Sequence, residues 1–262
     1  MTRARAVVTI SALVLSAAAT VSTQNGRPAR PGQPGNSSPV LPGRVGGGPS
    51  PRPPDASRPN GRLFAPQDLG LIEGPDRDQW QKPDQIMDSL SIAEGSVTAE
   101  IGAGGGWFTA RLSARVGPNG LVYAEDIQPL MIDAIERRIQ RENLRNVRAI
   151  LGSATDPRLP PGVVDAALIV EVYREMGIAP ADPVMLLSRI AESLKPDGRI
   201  GVVDYNPGGG GPGPAPDQRV DPEAVIKAAT TAGLRLLAQE RRVNPFQFLL
   251  VFGRPAPTRA PR

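Results

Sequence analysis

A glycine-rich segment near the middle of the chain has the residue types of a ligand-binding loop. Glu100 is followed by glycines at positions 102, 104 and 106, and Trp107 comes next. Because glycine has no side chain, such a loop lets a ligand approach the backbone closely. The fingerprint of dinucleotide-binding loops, Gly-x-Gly-x-x-Gly, would place a glycine at position 107 when counted from Gly102. Trp107 at that position argues against a nucleotide-linked oxidoreductase.

An acidic residue follows the glycines at a spacing that suits a ribose. Asp126 lies about 24 positions after Gly102, at the end of the second apolar stretch. A carboxylate can accept a hydrogen bond from each of the two hydroxyls of a ribose. The glycines and this acid together predict a site for a ribose-containing ligand. The alternative is a tight turn followed by a solvated acid.

A second set of residues could act on a substrate. Glu171, Tyr173 and Arg174 follow one apolar stretch, and Asp204 and Tyr205 end the next. Glu171 or Asp204 could take a proton from an acceptor hydroxyl if burial raised the pKa of its carboxyl. The alternative for each carboxylate is a helix cap or a surface ion pair.

The chain contains no cysteine and no histidine. This excludes disulfides, thiol nucleophiles, metal sites built on cysteine or histidine, and acid–base catalysis by histidine. Any chemistry must therefore depend on carboxylates, tyrosines, lysines or a bound cofactor, and we predict no metal site.

The apolar stretches that carry these residues alternate with amphipathic segments, which is typical of an α/β fold with a parallel sheet. In such a sheet ligands bind beyond the carboxyl ends of the strands. Residues 242–245 leave room only for a turn, so the last strand should run antiparallel to its neighbour. We predict one domain with a Rossmann-like, doubly wound, seven-stranded sheet. The predicted strands are Val97–Ala103, Leu121–Ile127, Val147–Ala154, Val164–Val172, Ile200–Tyr205, Leu234–Glu240 and Phe246–Gly253.

The two ends of the chain differ in composition from this domain, which we place at residues 63–254. Residues 1–24 have a basic start, an apolar run and small residues, the pattern of a cleaved signal peptide. Residues 25–62 are rich in proline and glycine and predict a disordered linker, and 255–262 predict a disordered tail. We expect a periplasmic or extracellular protein without a stable membrane span. The alternatives are an uncleaved anchor, or a cytoplasmic protein if the start is mis-assigned.

The positive charge of the chain lies mostly in these ends. Residues 1–62 hold eight arginines against Asp55, and residues 254–262 hold three arginines and no acid. Of the 30 basic and 26 acidic residues, 19 basic and 25 acidic ones remain for the domain when Arg254 is counted with the tail. Its net charge of about −6 argues against a nucleic-acid partner.

Seven ordered segments resemble the class I methyltransferases, in the bacterial group related to ubiquinone and menaquinone biosynthesis. The glycine loop has the Glu-x-Gly-x-Gly-x-Gly spacing of their motif I, and the resemblance covers nearly the whole domain. The other segments are WQKPD from Trp80, AEDIQPLMI from Ala124, NVRAILGSATDPRLP from Asn146, VDAALIVEVYREM from Val164, LKPDGRIGVVDY from Leu194, and AGLRLLAQERRVNPFQFLLVFGR from Ala232.

The resemblance implies that S-adenosylmethionine (SAM) is the cofactor. By analogy Gly102, Gly104 and Gly106 wrap its methionyl part, with Glu100 and Ala103 in the same motif. Asp126 holds the ribose, Ile127 packs on the adenine, and Ser153 and Ala154 border the adenine edge. Ser153 departs from the family, in which an acid often accepts the exocyclic amine.

The implied activity is direct methyl transfer from SAM to a small-molecule acceptor, with Glu171, Tyr173 and Asp204 as candidate catalytic residues. Relatives often have histidines where this chain reads Glu171-Val-Tyr-Arg-Glu175. The alternative is therefore an exported, non-catalytic binding or interaction module that keeps the fold. The loop Pro207–Pro216 is expected to be irregular, either a lid over the substrate or a surface loop.

Overall fold

The computed structural model describes residues 63–208 and 210–255. The predictions of a signal peptide over 1–24, a linker over 25–62 and a tail over 255–262 fall outside these residues, apart from Pro255. The described residues belong to one compact unit, as predicted. Within them, no helix has the length and apolar character needed to cross a membrane.

All seven predicted strands are present and form one sheet. Their bounds are β1 Val97–Ile101, β2 Leu121–Asp126, β3 Val147–Leu151, β4 Val164–Val170, β5 Leu194–Tyr205, β6 Arg235–Glu240 and β7 Gln247–Gly253. The order across the sheet is β3-β2-β1-β4-β5-β7-β6. The strands β1 to β5 pair in parallel, and β7 pairs antiparallel with both β5 and β6. The predicted antiparallel last strand is thus confirmed.

The strand ends deviate slightly from the prediction. Strands β1 to β4 end one to three residues early, because the residues that follow leave the sheet to form loops at its carboxyl edge. Strand β5 begins at Leu194 instead of Ile200, since Leu194 pairs with Val164 across a register shift.

Seven helices lie in the described part of the chain. They are α1 Leu69–Ile72, α2 Arg77–Gln81, α3 Pro83–Ser89, α4 Trp107–Val116, α5 Pro129–Glu142, α6 Pro183–Ser193 and α7 Pro222–Thr231, with short 3-10 turns at Pro66–Asp68, Glu175–Gly177 and Pro216–Gln218. Side chains cap the start of helices α6 and α7: the carboxylate of Asp182 accepts from the Val184 amide at 2.9 Å, and that of Asp221 from the Glu223 amide at 3.1 Å.

Apolar side chains cover both faces of the sheet. Leu112 of α4 and Ile135 of α5 pack on one face, and Leu187 and Ile190 of α6 pack on the other. Strand β4 is apolar and almost wholly buried, as expected for a central strand covered on both sides. Because β2, β1 and β4 are neighbours in this sheet, their carboxyl ends lie side by side at one edge.

The segment before β1 lies against that edge. The Leu69 side chain is 3.6 Å from the position that a Cβ on Gly104 would take. Glu73 forms an ion pair with Arg138 of α5, and Asp78 forms one with Arg111 of α4. These contacts hold residues 69–78 against the glycine loop, α4 and α5.

Candidate functional site

The glycine loop joins β1 to α4 in a conformation that requires its glycines. Gly102, Gly104 and Gly106 have φ angles of 68°, 57° and 79°, values that other residues adopt at a cost. A Cβ on Gly102 would lie 2.6 Å from the Val172 side chain. The backbone at this position is therefore packed directly against the segment that follows β4.

Asp126 is held at the end of β2 by backbone amides. Its Oδ2 accepts from the Gly104 amide at 3.0 Å and its Oδ1 from the Gln128 amide at 2.9 Å. Burial raises the pKa of this carboxyl, while these amide donors oppose the shift. A carboxylate has about four acceptor positions, which is more than these amides occupy, so the fixed carboxylate can still accept from a ligand.

Glu100 lies beneath the loop with its side chain almost fully buried. Its carboxyl accepts a hydrogen bond from the Thr109 hydroxyl of α4. Burial raises the pKa of Glu100 to about 7. The residue thus ties the end of β1 to the first turn of α4, and it also lines the cavity described next.

These residues surround a cavity at the carboxyl edge of the sheet. Its empty space is about 1070 Å³ when the open solvent at its mouth is included. Leu63, Phe64 and Ile72 border it from the segment before β1. The predicted site residues in its lining are Glu100, Gly102, Ala103, Gly104, Asp126, Ile127, Ser153, Ala154 and Glu171.

Gly106 takes a different place from the other two glycines. It precedes the first residue of α4 as its N-cap, and a Cβ on it would lie 3.3 Å from the Arg138 side chain. Gly105 lines the cavity, and its carbonyl accepts from Arg138 Nε at 2.7 Å. A direct role for Gly106 in ligand binding stays a prediction.

Glu171 lines the cavity after β4 and is surrounded by hydrogen-bond donors. The side-chain amides of Gln81 and Gln247 donate to its Oε1 at 2.8 and 2.7 Å, and Arg77 lies 3.5 Å from its Oε2. The Tyr205 side chain also hydrogen-bonds Glu171. The backbone φ of Glu171, 63°, is unusual for a residue other than glycine. The surrounding donors hold the Glu171 carboxylate at the cavity wall.

Tyr173 and Asp204, the other two predicted catalytic residues, lie outside the cavity lining. Tyr173 packs in the core, and burial raises its pKa to about 12. Asp204 is also buried, which raises its pKa to about 7. Within the described residues, its Oδ2 is enclosed without a hydrogen-bond partner. The structure thus brings Glu171 to the cavity, and catalytic roles for Tyr173 and Asp204 stay predictions.

Sequence reasoning missed a further group of lining residues that precede β1. Arg77 lines the cavity, and its guanidinium carbon lies 4.3 Å from the centre of the Trp107 ring. Gln81, together with Gln247, orients Glu171. The WQKPD segment was noticed for its resemblance, but no local pattern indicated that Gln81 would meet a carboxylate 90 positions away.

The irregular loop Pro207–Pro216 packs away from the cavity. Arg219 binds this region through the carbonyls of Asn206 and Pro214, both at 3.0 Å. No described residue of the loop lines the cavity. In the described part of the chain it is a surface loop, and the cavity is bordered instead by residues 63–77.

Comparison with known proteins agrees with this architecture. Residues 99–198 match a family model described as a methyltransferase domain. The chain is 30% identical over 115 residues to a protein-L-isoaspartate O-methyltransferase of Methanothrix thermoacetophila, covering 44% of this chain and 50% of the relative. It is 27% identical over 135 residues to a demethylmenaquinone methyltransferase of Lactobacillus johnsonii, covering 51% and 53%. The chain therefore spans about half the length of these curated relatives.

The fold also matches solved structures. The SAM-dependent methyltransferase of Aquifex aeolicus superposes with a TM-score of 0.68 at 23% identity, covering 72% of this chain and 98% of that one. The chain therefore shares the fold of this SAM-dependent methyltransferase, and residues 99–198 are similar to a methyltransferase domain. The similarity to demethylmenaquinone methyltransferases extends over about half of the chain at 25–27% identity.

The lining of the cavity can be compared with SAM, the cofactor named for the Aquifex aeolicus protein. Gly104 lines the cavity, so the glycine loop presents backbone without a side chain to a ligand at this position. Asp126 offers two carboxylate oxygens of fixed orientation beside it, which matches the two hydroxyls of a ribose.

Proposed function

We propose that the protein transfers a methyl group from SAM to a small-molecule acceptor by direct displacement within this cavity. The observation that carries the proposal is that one cavity joins the glycine loop and Asp126 to Glu171. Cofactor-binding groups and a candidate acceptor-binding group therefore share one enclosed space.

Asp126 and the glycine loop would hold the cofactor. The Asp126 carboxylate, fixed by the Gly104 and Gln128 amides, would accept from the ribose hydroxyls. The loop backbone would lie along the methionyl part, where the family has its motif I. When bound, SAM supplies a methyl group already activated by the sulfonium, so the protein needs no covalent intermediate.

Glu171 would orient the acceptor and receive its proton. The side-chain amides of Gln81 and Gln247 donate to its carboxylate and fix it at the cavity wall. A positioned carboxylate can align a hydroxyl or amine and take up the proton that methylation releases. Leu63, Phe64 and Ile72 border the same cavity, and such apolar groups reduce the access of water.

Calorimetric titration of the full chain with SAM and with S-adenosylhomocysteine tests the proposal. Both ligands should bind, and Asp126→Ala should weaken both at least tenfold because the ribose acceptor is lost. The matched control is Asp133→Ala, which removes an exposed carboxylate on α5 and should bind like the wild type. Failure of the wild type to bind either ligand would refute the proposal.

Transfer itself is tested with radiolabelled SAM and small-molecule extracts of the cell envelope and of the cytoplasm. Label should appear in an extract component with the wild type and not with Asp126→Ala. Cofactor binding without transfer to either extract would favour the alternative function, a binding module that keeps the methyltransferase fold.

A further inference from the structure

Glu125 is a buried acid in the cavity wall that the proposed mechanism does not use. It precedes Asp126 on β2, and its side chain is 2% exposed. It belongs to the cavity lining. Its Oε2 lies 3.4 Å from the Gly102 amide nitrogen, a long hydrogen bond. Its Oε1 accepts no hydrogen bond from any residue that the structure describes.

The chain leaves room for this carboxyl at Gly152. A Cβ on Gly152 would overlap Oε1 of Glu125, so any other residue at 152 would displace the carboxyl. Gly152 follows β3, directly before Ser153 and Ala154, which also line the cavity. The Glu125 carboxyl therefore lies at the end of the cavity formed by β2 and β3.

The neighbouring hydroxyl at this end is already engaged. Ser153 Oγ accepts from the Asp156 amide at 3.0 Å and donates to the Asp156 carbonyl at 3.2 Å. These bonds form a local turn. The Glu125 carboxyl thus has an uncommitted oxygen where Ser153 has a committed one.

The surroundings keep the Glu125 carboxyl protonated at neutral pH. Burial, together with the carboxylates of Asp126 and Asp156 and against the Gly102 amide, raises the pKa of Glu125 to about 8. A protonated carboxyl offers one O–H donor and one carbonyl acceptor side by side. This is the pairing that an aminopurine edge requires, with an amine beside a ring nitrogen.

We propose that Glu125 is the specificity-determining residue for the adenine of the cofactor, accepting from its exocyclic amine and donating to the adjacent ring nitrogen. The inference rests on the proposed function. With the methionyl part on the β1 loop and the ribose on Asp126 of β2, the base would extend toward the ends of β2 and β3. Glu125 would then bind the exocyclic amine, since the Ser153 hydroxyl is already bonded to Asp156.

Calorimetry with two ligands tests this role on the full chain. The ligands are S-adenosylhomocysteine and its analogue that lacks the 6-amino group. The wild type should prefer the amine by about tenfold. Glu125→Gln should keep the preference, since an amide has the same donor and acceptor. Glu125→Leu should bind both ligands with equal, lowered affinity.

Gly152→Ala provides a second variant that leaves Glu125 in the sequence. It displaces the carboxyl and should therefore lose the preference as Glu125→Leu does. The affinity of the wild type for S-adenosylhomocysteine should also fall above pH 8 as Glu125 loses its proton donor, whereas the Glu125→Gln affinity should stay constant. Asp126 and Asp156 are present in both proteins, so the difference isolates Glu125.

The outcomes separate this inference from the proposed function. Equal affinity of the wild type for both ligands would refute the role of Glu125 while leaving cofactor binding intact. A preference that persists in Glu125→Leu would do the same. If the wild type binds neither ligand, the proposed function itself fails.

Discussion

The side-chain amide of Gln247, the first residue of β7, donates to Glu171 at 2.7 Å, so the antiparallel strand fixes the carboxylate that follows β4. Asn244 donates to Gln247 Oε1 at 2.7 Å and completes the arrangement. The turn between β6 and β7 thus acts on the cavity through one chain of hydrogen bonds. Such networks fix orientation at functional sites.

Glu171→Gln should lower the rate of methyl transfer by about 100-fold or more, because an amide cannot take the proton of the acceptor. Affinity for S-adenosylhomocysteine should change less than about twofold, since Asp126 and the glycine loop are untouched. Single-turnover kinetics and calorimetry measure the two quantities. Glu192→Gln, an exposed change on α6, is the matched control. An unchanged rate in Glu171→Gln would remove Glu171 from the mechanism.

Gly102→Ala should weaken cofactor binding at least tenfold and destabilise the fold. The alanine would have to adopt a φ of 68°, which is unfavourable for a residue with a side chain, and its Cβ would collide with Val172. Gly162→Ala is the control for the backbone strain alone, because Gly162 has a φ of 69° and open space around its Cβ position. That control should cost about 1–2 kcal/mol of the free energy of unfolding and leave binding unchanged. Denaturant unfolding and calorimetry distinguish the two, and equal binding by both variants would contradict the expectation.

Residues 1–24, when fused to a reporter that is active only outside the cytoplasm, should export the reporter and so give a signal. Their apolar run and basic start predict an export signal. Leu13→Arg interrupts the apolar run and should silence the reporter. A fusion that is silent with the native sequence would instead support a cytoplasmic enzyme.

The strands, the glycine loop and Asp126 could be predicted because the patterns that indicate them are local in the sequence. The glycine spacing around Gly102 and the position of Asp126 at a strand end need only a few neighbouring residues to be interpreted. Strand β5 was predicted too short, because Pro196 and Gly198 interrupt the local pattern while its pairing with β4 extends the strand. Local patterns indicate the type of an element better than its ends.

The acceptor side depends on contacts between distant positions. Glu171 meets Gln81 across 90 positions and Gln247 across 76, and no spacing rule links such residues. Counting from strand ends also placed Asp204 at the cavity, whereas the structure buries it outside the lining. Which side of a strand end faces a ligand is decided by packing, not by the sequence of that strand alone.

Asp204→Asn should make the free energy of unfolding less dependent on pH. Burial raises the pKa of Asp204 to about 7 from an ordinary value of 3.8. The folded state therefore binds a proton that the unfolded state has lost, and stability falls as the pH rises from about 4 to about 7. Above pH 7 the wild type carries an enclosed charge whose Oδ2 has no partner among the described residues. Asparagine carries no charge, so this loss should disappear.

Urea unfolding at pH 5.5 and pH 8 measures the effect. The wild type should lose on the order of 1–3 kcal/mol more than Asp204→Asn between the two values. Glu100 and Glu125 have pKa values raised to about 7 and about 8, so part of the pH dependence should remain in the variant. The exposed change Asp133→Asn should leave the dependence as it is. An equal loss in the wild type and in Asp204→Asn would mean that Asp204 does not change its protonation between these pH values.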